Sequence, residues 1–174
     1  MESKALITRR KRCAMLIPST IALAALLLAG NAGAQVFGTG SHTVTVQVSV
    51  ITAVRVTGGS VNLNISSANV VAGQNQMSVT DQSTSLLWGT NSSLRKISVN
   101  TSLAAPKYTL KLLALNPTQG TAAPEVTLGT AGKDLLLNIG RSTGSCTLRY
   151  TGTALASQGT GNDVHVITFT VLSQ

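Results

Sequence analysis

The side chains that could do chemistry are few, and their spacing assembles no reaction. In the region that reads as the mature chain the acids are Asp81, Glu125, Asp134 and Asp163, and the histidines are His42 and His165. No two carboxylates share one element at the separation a glycosidase needs. A serine–histidine–aspartate reading would draw on Asp163 and His165, two apart on a strand, but no Gly-x-Ser-x-Gly elbow supplies a nucleophile. Asn162 and Asp163 beside Gly159 and Gly161 offer oxygens to calcium, yet two side-chain ligands are too few and no EF-hand spacing is present. Cys146 is the only cysteine outside the first 34 residues. One thiolate builds neither an internal disulfide nor a zinc or iron–sulfur site; its phase with Leu148 and Tyr150 reads as a small buried hydrophobe, with an intermolecular disulfide as the alternative. The expectation is a non-enzyme with no cofactor and no metal.

A remaining candidate for ligand binding is aromatic. Trp88 with Asn91, or Tyr108, would make a sugar platform, although a single Trp inside a Leu-Leu-Trp run is more often core.

The elements that must position these groups begin after an export signal. Arg9, Arg10, Lys11 and Arg12 precede an apolar run at 21–29, which ends in Ala32-Gly33-Ala34, a small-residue cleavage pattern. Residues 1–34 therefore read as a secretory signal peptide and 35–42 as a Gly-containing flexible leader. Pro18, Ser19 and Thr20 interrupt the apolar run before it reaches the roughly 20 residues of a spanning helix, and no later stretch is long enough. No membrane span is expected in the mature chain, whose address is periplasm, cell surface or medium. Removing the signal leaves eight basic and four acidic residues, a net charge of +4. The basic residues are scattered and not interleaved with aromatics, which argues against nucleic acid as a partner.

From residue 43 the pattern is that of an all-β chain. Val44, Val46, Val48 and Val50 alternate with Thr43, Thr45, Gln47 and Ser49, the two-residue period of a half-buried strand. At about 3.3 Å per residue, a strand from 43 to 56 would span roughly 46 Å, so a bend is expected near 51–53. Its two halves would then pair in different places. Gly58-Gly59 signals a hairpin turn into a strand at 61–65. Further strands are predicted at 76–80, 86–88, 96–99, 108–115, 125–128, 135–139, 146–150 and 164–172, separated by turn residues. This series predicts one domain over 43–174, a single antiparallel β-sandwich of immunoglobulin-like type.

An exported Thr- and Val-rich β domain with an alternating valine strand near its start and an alternating strand at its end resembles bacterial pilin subunits and the related spore-coat-U-like proteins. The paired cysteines common in those subunits are missing here. The resemblance implies a structural or adhesive surface protein whose partners are further copies or related surface subunits. It also implies an N-terminal strand donated to a neighbour's incomplete sandwich, and the matching segment is 43–50, with Val44, Val46, Val48 and Val50 as the assembly face. No Lys, Pro or acid between residues 43 and 54 protects that segment as an edge. Pairing within its own domain and pairing with a neighbour both satisfy the pattern. The alternative function is a secreted carbohydrate- or ligand-binding module built on Trp88 and Asn91.

Overall fold

The computed structural model describes residues 40–174, so the expected signal at 1–34 and leader residues 35–39 lie outside the described residues. The chain divides after Val46. In the first part, residues 40–46 carry no secondary structure and are exposed.

The second part, Gln47–Gln174, is all β apart from two three-residue 3-10 turns at Ser67–Asn69 and Ala156–Gln158. Its strands are β1 (Thr52–Thr57), β2 (Gln76–Thr90), β3 (Arg95–Thr101), β4 (Thr109–Leu115), β5 (Thr121–Ala122), β6 (Val126–Thr127), β7 (Lys133–Ile139), β8 (Ser142–Leu155) and β9 (Ile167–Ser173). Five form one sheet in the order β1-β2-β8-β4-β6, and four form a second in the order β5-β7-β3-β9. Every pairing is antiparallel.

Period-two alternation builds the layer between the sheets. Leu86 and Trp88 of β2, Ile97 and Val99 of β3, Leu112 and Ala114 of β4, Leu135, Leu136 and Ile139 of β7, and Cys146, Leu148 and Tyr150 of β8 are buried in one cluster. Polar residues such as Thr147, Arg149 and Thr151 alternate with them on the other face of β8, where Glu125 lies 3.3 Å from the Arg149 guanidinium. Burial pushes the Cys146 thiol up to about 11. It also pushes the Tyr150 hydroxyl up to about 12, with a smaller contribution from the negative charge of Asp81.

Three local expectations are corrected. Residues 76–80 and 86–88 belong to one strand, β2, whose register with β8 shifts between Asp81 and Thr84. That bulge holds the polar turn-like residues inside the strand, and the Asp81 carboxylate accepts from the Ser83 amide and hydroxyl at 2.9 and 2.7 Å. Thr121 and Ala122, expected in a loop, pair with Leu137 and Leu136. Finally, the strand predicted over 43–56 exists only from Thr52 onward. Val54 and Val56 stand opposite core Trp88 and Leu86 in β2, whereas the equally regular alternation before them meets no partner strand among the described residues. Alternation supplies a face, but a strand also needs a neighbour for its main chain.

Candidate functional site

The valines proposed as an assembly face all stand in solvent. Val44 is 70%, Val46 83%, Val48 68% and Val50 73% exposed. Each of these four apolar side chains is thus left unburied, in a segment free of charge.

A second feature lies in the sandwich itself. After β1 the chain turns at Gly58 and Gly59, both with positive φ (109° and 81°), a backbone that favours glycine. A Cβ at Gly58 would stand 2.6 Å from the Ser83 carbonyl oxygen, so a side chain is excluded there on contact grounds too. Residues 61–65 then run with Val61, Leu63 and Ile65 half-buried and Asn62 and Asn64 exposed, the expected alternation without the expected strand. Leu63 packs on the inner face of the first sheet, where Gly152 of β8 makes room: a Cβ at 152 would lie 3.2 Å from Leu63 Cδ1. The other flank is the approach to β9, where Asp163, His165, Ile167 and Phe169 face inward and Val164 and Val166 face out.

Between these flanks lies an open groove of about 1030 Å³, floored by residues of the first sheet that include Leu110, Tyr150 and Ala154. Small-molecule sites run to about 1,000 Å³ and are enclosed; this one is a trough between two extended segments. Both walls are short of main-chain partners. Among the described residues, no backbone–backbone hydrogen bond joins 58–65 or 160–165 to anything, and β9 is the end strand of its sheet. The groove therefore lacks what a strand laid into it would supply: apolar side chains on one face and N–H and C=O groups along both edges.

Side-chain bonds hold the far wall in place. The Tyr108 amide donates to Asp163 Oδ2 at 2.8 Å, the Tyr108 hydroxyl to the Gly159 carbonyl at 2.9 Å, and Lys107 Nζ to the Thr160 carbonyl at 2.7 Å. His165 Nδ1 lies 3.0 Å from the hydroxyl of buried Thr101. Asp163 and His165, weighed above as chemistry, are thus engaged in fixing the wall. Thr84, buried at the groove and at the β2 bulge, has no partner for its hydroxyl.

Trp88 and Asn91 are not brought together as a platform. Trp88 is 5% exposed and packs in the core, its indole nitrogen buried without a partner. Asn91 is exposed, and its carboxamide is bonded to the main chain at residues 49 and 51. No family model, curated protein or solved structure matches this chain. Among the described residues no group of three or more His, Cys, Asp or Glu is arranged to hold a metal, and no helix is long and apolar enough to cross a membrane.

The groove walls escaped the sequence reading, although part of the signal was present. The alternation at 61–65 and the inward series Asp163, His165, Ile167, Phe169 are both visible in the sequence. What the pattern lacks is the information that these two segments flank each other without touching.

Proposed function

We propose that this protein is an exported, non-catalytic structural or adhesive surface component. In this reading the sandwich is immunoglobulin-like and incomplete, and copies associate by strand addition, residues 43–50 of one lying in the groove of the next. The observation that carries the reading is the groove with two main-chain-deficient walls in a chain that also presents a segment of exposed, alternating valines.

The magnitudes agree. Burying four valines contributes about 1.5 to 3 kcal/mol each, roughly 6 to 12 in all, while fixing eight residues costs on the order of 8 to 16. Hydrogen bonds to two edges, at about 0.5 to 1.5 kcal/mol each, tip that balance where one edge alone does not.

Chain geometry favours a partner over self-insertion. Thr52 pairs with Thr90, at the end of β2 away from the groove, and the groove begins only at Val56 and Gly59. Residues 43–50 span about 26 Å when extended, and roughly 20 Å of that would be used in doubling back along β1. Donation that is not returned is head-to-tail and extends into open chains unless the rotation between copies closes a ring.

The test compares residues 35–174 with residues 51–174 by size-exclusion chromatography with light scattering and by negative-stain microscopy. Under this reading the longer chain forms linear oligomers and the shorter is a folded monomer. A longer chain that stays monomeric at high concentration, or a shorter one that unfolds, overturns it.

A further inference from the structure

The root of the valine arm is held by one side chain. The β1–β2 ladder ends at Thr52 opposite Thr90, and continuing that register would place Ile51 opposite Asn91 and Ser49 opposite Ser93. The first of these bonds forms from the main chain, with the Asn91 amide donating to the Ile51 carbonyl at 3.2 Å. The second has no main chain to use. Residues 91–94 bend toward β3, Leu94 taking a positive φ of 54°, so the backbone has left the sheet where Ser49 would need it.

The Asn91 carboxamide fills that place. Its Oδ1 accepts from the Ile51 amide at 2.8 Å, and its Nδ2 donates to the Ser49 carbonyl at 2.8 Å. A carboxamide carries the same donor and acceptor as a peptide unit, so one side chain stands in for the missing stretch of strand. Three hydrogen bonds then keep 49–51 in line with β1.

This bears on which edge the arm can find. Among the described residues the outer edge of β1 is itself unpaired, because β1 ends its sheet, and it is the free edge closest in sequence to residues 43–50. An arm that reversed at 50–51 would zip onto it as a hairpin and remove both its own valines and that edge from contact with other molecules. The reversal must bend the residues that Asn91 holds straight.

We infer that Asn91 is a specificity-determining positioning residue: by fixing 49–51 as an extension of β1 it blocks the arm from folding back on its own subunit and leaves it for a second copy. The inference rests on the strand-addition reading. It also shortens the free donor segment, since Ser49 is already engaged and the first residue without a main-chain constraint is Val48.

The experiment uses residues 35–174 with Asn91→Ala and Asn91→Asp. Aspartate keeps the acceptor for Ile51 and loses the donor to Ser49. Amide hydrogen exchange at Ile51, read beside thermal melts that monitor the sandwich, reports the tether; light scattering reports assembly. The expected result for Asn91→Ala is exchange at Ile51 faster by roughly tenfold, the loss of one or two hydrogen bonds, with melting little changed and oligomers reduced in favour of monomer. Asn91→Asp should keep protection at Ile51 and still assemble less. Unchanged exchange in Asn91→Ala, or faster exchange with undiminished assembly, overturns the role of Asn91 while leaving strand addition standing. A parent chain that never assembles overturns strand addition, and the assembly role of Asn91 with it.

Discussion

Trp88 packs its indole over Gly144 across the β2–β8 pairing: a Cβ on Gly144 would stand 2.5 Å from two carbons of the ring. The ring fills the volume that a side chain at 144 would take, and this is how a Trp enters a core built mostly of Leu, Ile and Val.

Gly144→Ala should therefore overpack the core. The expected loss is about 1 to 3 kcal/mol, seen as a lower urea midpoint with an unchanged slope. Trp88→Phe, which shortens the ring, should recover part of it in the double variant.

Val46→Asp separates assembly from folding. Val46 is 83% exposed, so the substitution should leave the melting of the isolated domain unchanged within about 0.5 kcal/mol. Under strand addition oligomers should nevertheless be lost, because a charge would be brought against the apolar floor residues Leu110, Tyr150 and Ala154 of the groove. Equal destabilisation of monomer and assembly would place Val46 inside its own fold.

A peptide of residues 43–50 added to the chain of residues 51–174 should raise its melting temperature with concentration. At a hundred times the dissociation constant the stabilisation is about 2.7 kcal/mol. A scrambled peptide with the valines out of phase should do nothing, and equal shifts from both would count against a strand-specific groove.

Alkali should weaken the fold in a defined window. Cys146 rises from 9.0 to about 11 and Tyr150 from 10.0 to about 12, both because burial disfavours the anion. A raised folded value means the contribution is complete below the unfolded value and is lost as pH climbs through the folded one. Stability is expected to be insensitive to these two groups up to about pH 9 and to fall between about pH 9 and 12. Cys146→Ala should flatten the first part of that decline, and thiol reagents at pH 8 should label Cys146 only at the rate of unfolding.

Much of the architecture is legible in residues such as Cys146, Leu148 and Tyr150, whose alternation leads directly to β8. Pattern alone cannot separate Val54 and Val56, which pair with β2, from Val44 and Val46, which share their phase and pair with nothing among the described residues. The difference lies in the partner, forty residues away at Asn91 and beyond. Asn91 itself read as a loop residue and a sugar contact, because a carboxamide substituting for a strand depends on where β2 stops. The groove was hidden for the same reason: a missing neighbour leaves no mark on the segments that lack it.

The two longest strands, β2 and β8, lie side by side at the centre of the first sheet, joining Gln76 to Leu155. A chain made from its N-terminus can zip β1 onto β2 early, but that hairpin has no lasting support until β8 is complete. The second sheet waits longer still, since β3 needs β9 along its whole length. Pairings so distant in sequence are slow to close. Neither sheet, consequently, can close until most of the chain is available, the first waiting on Leu155 and the second on Ser173.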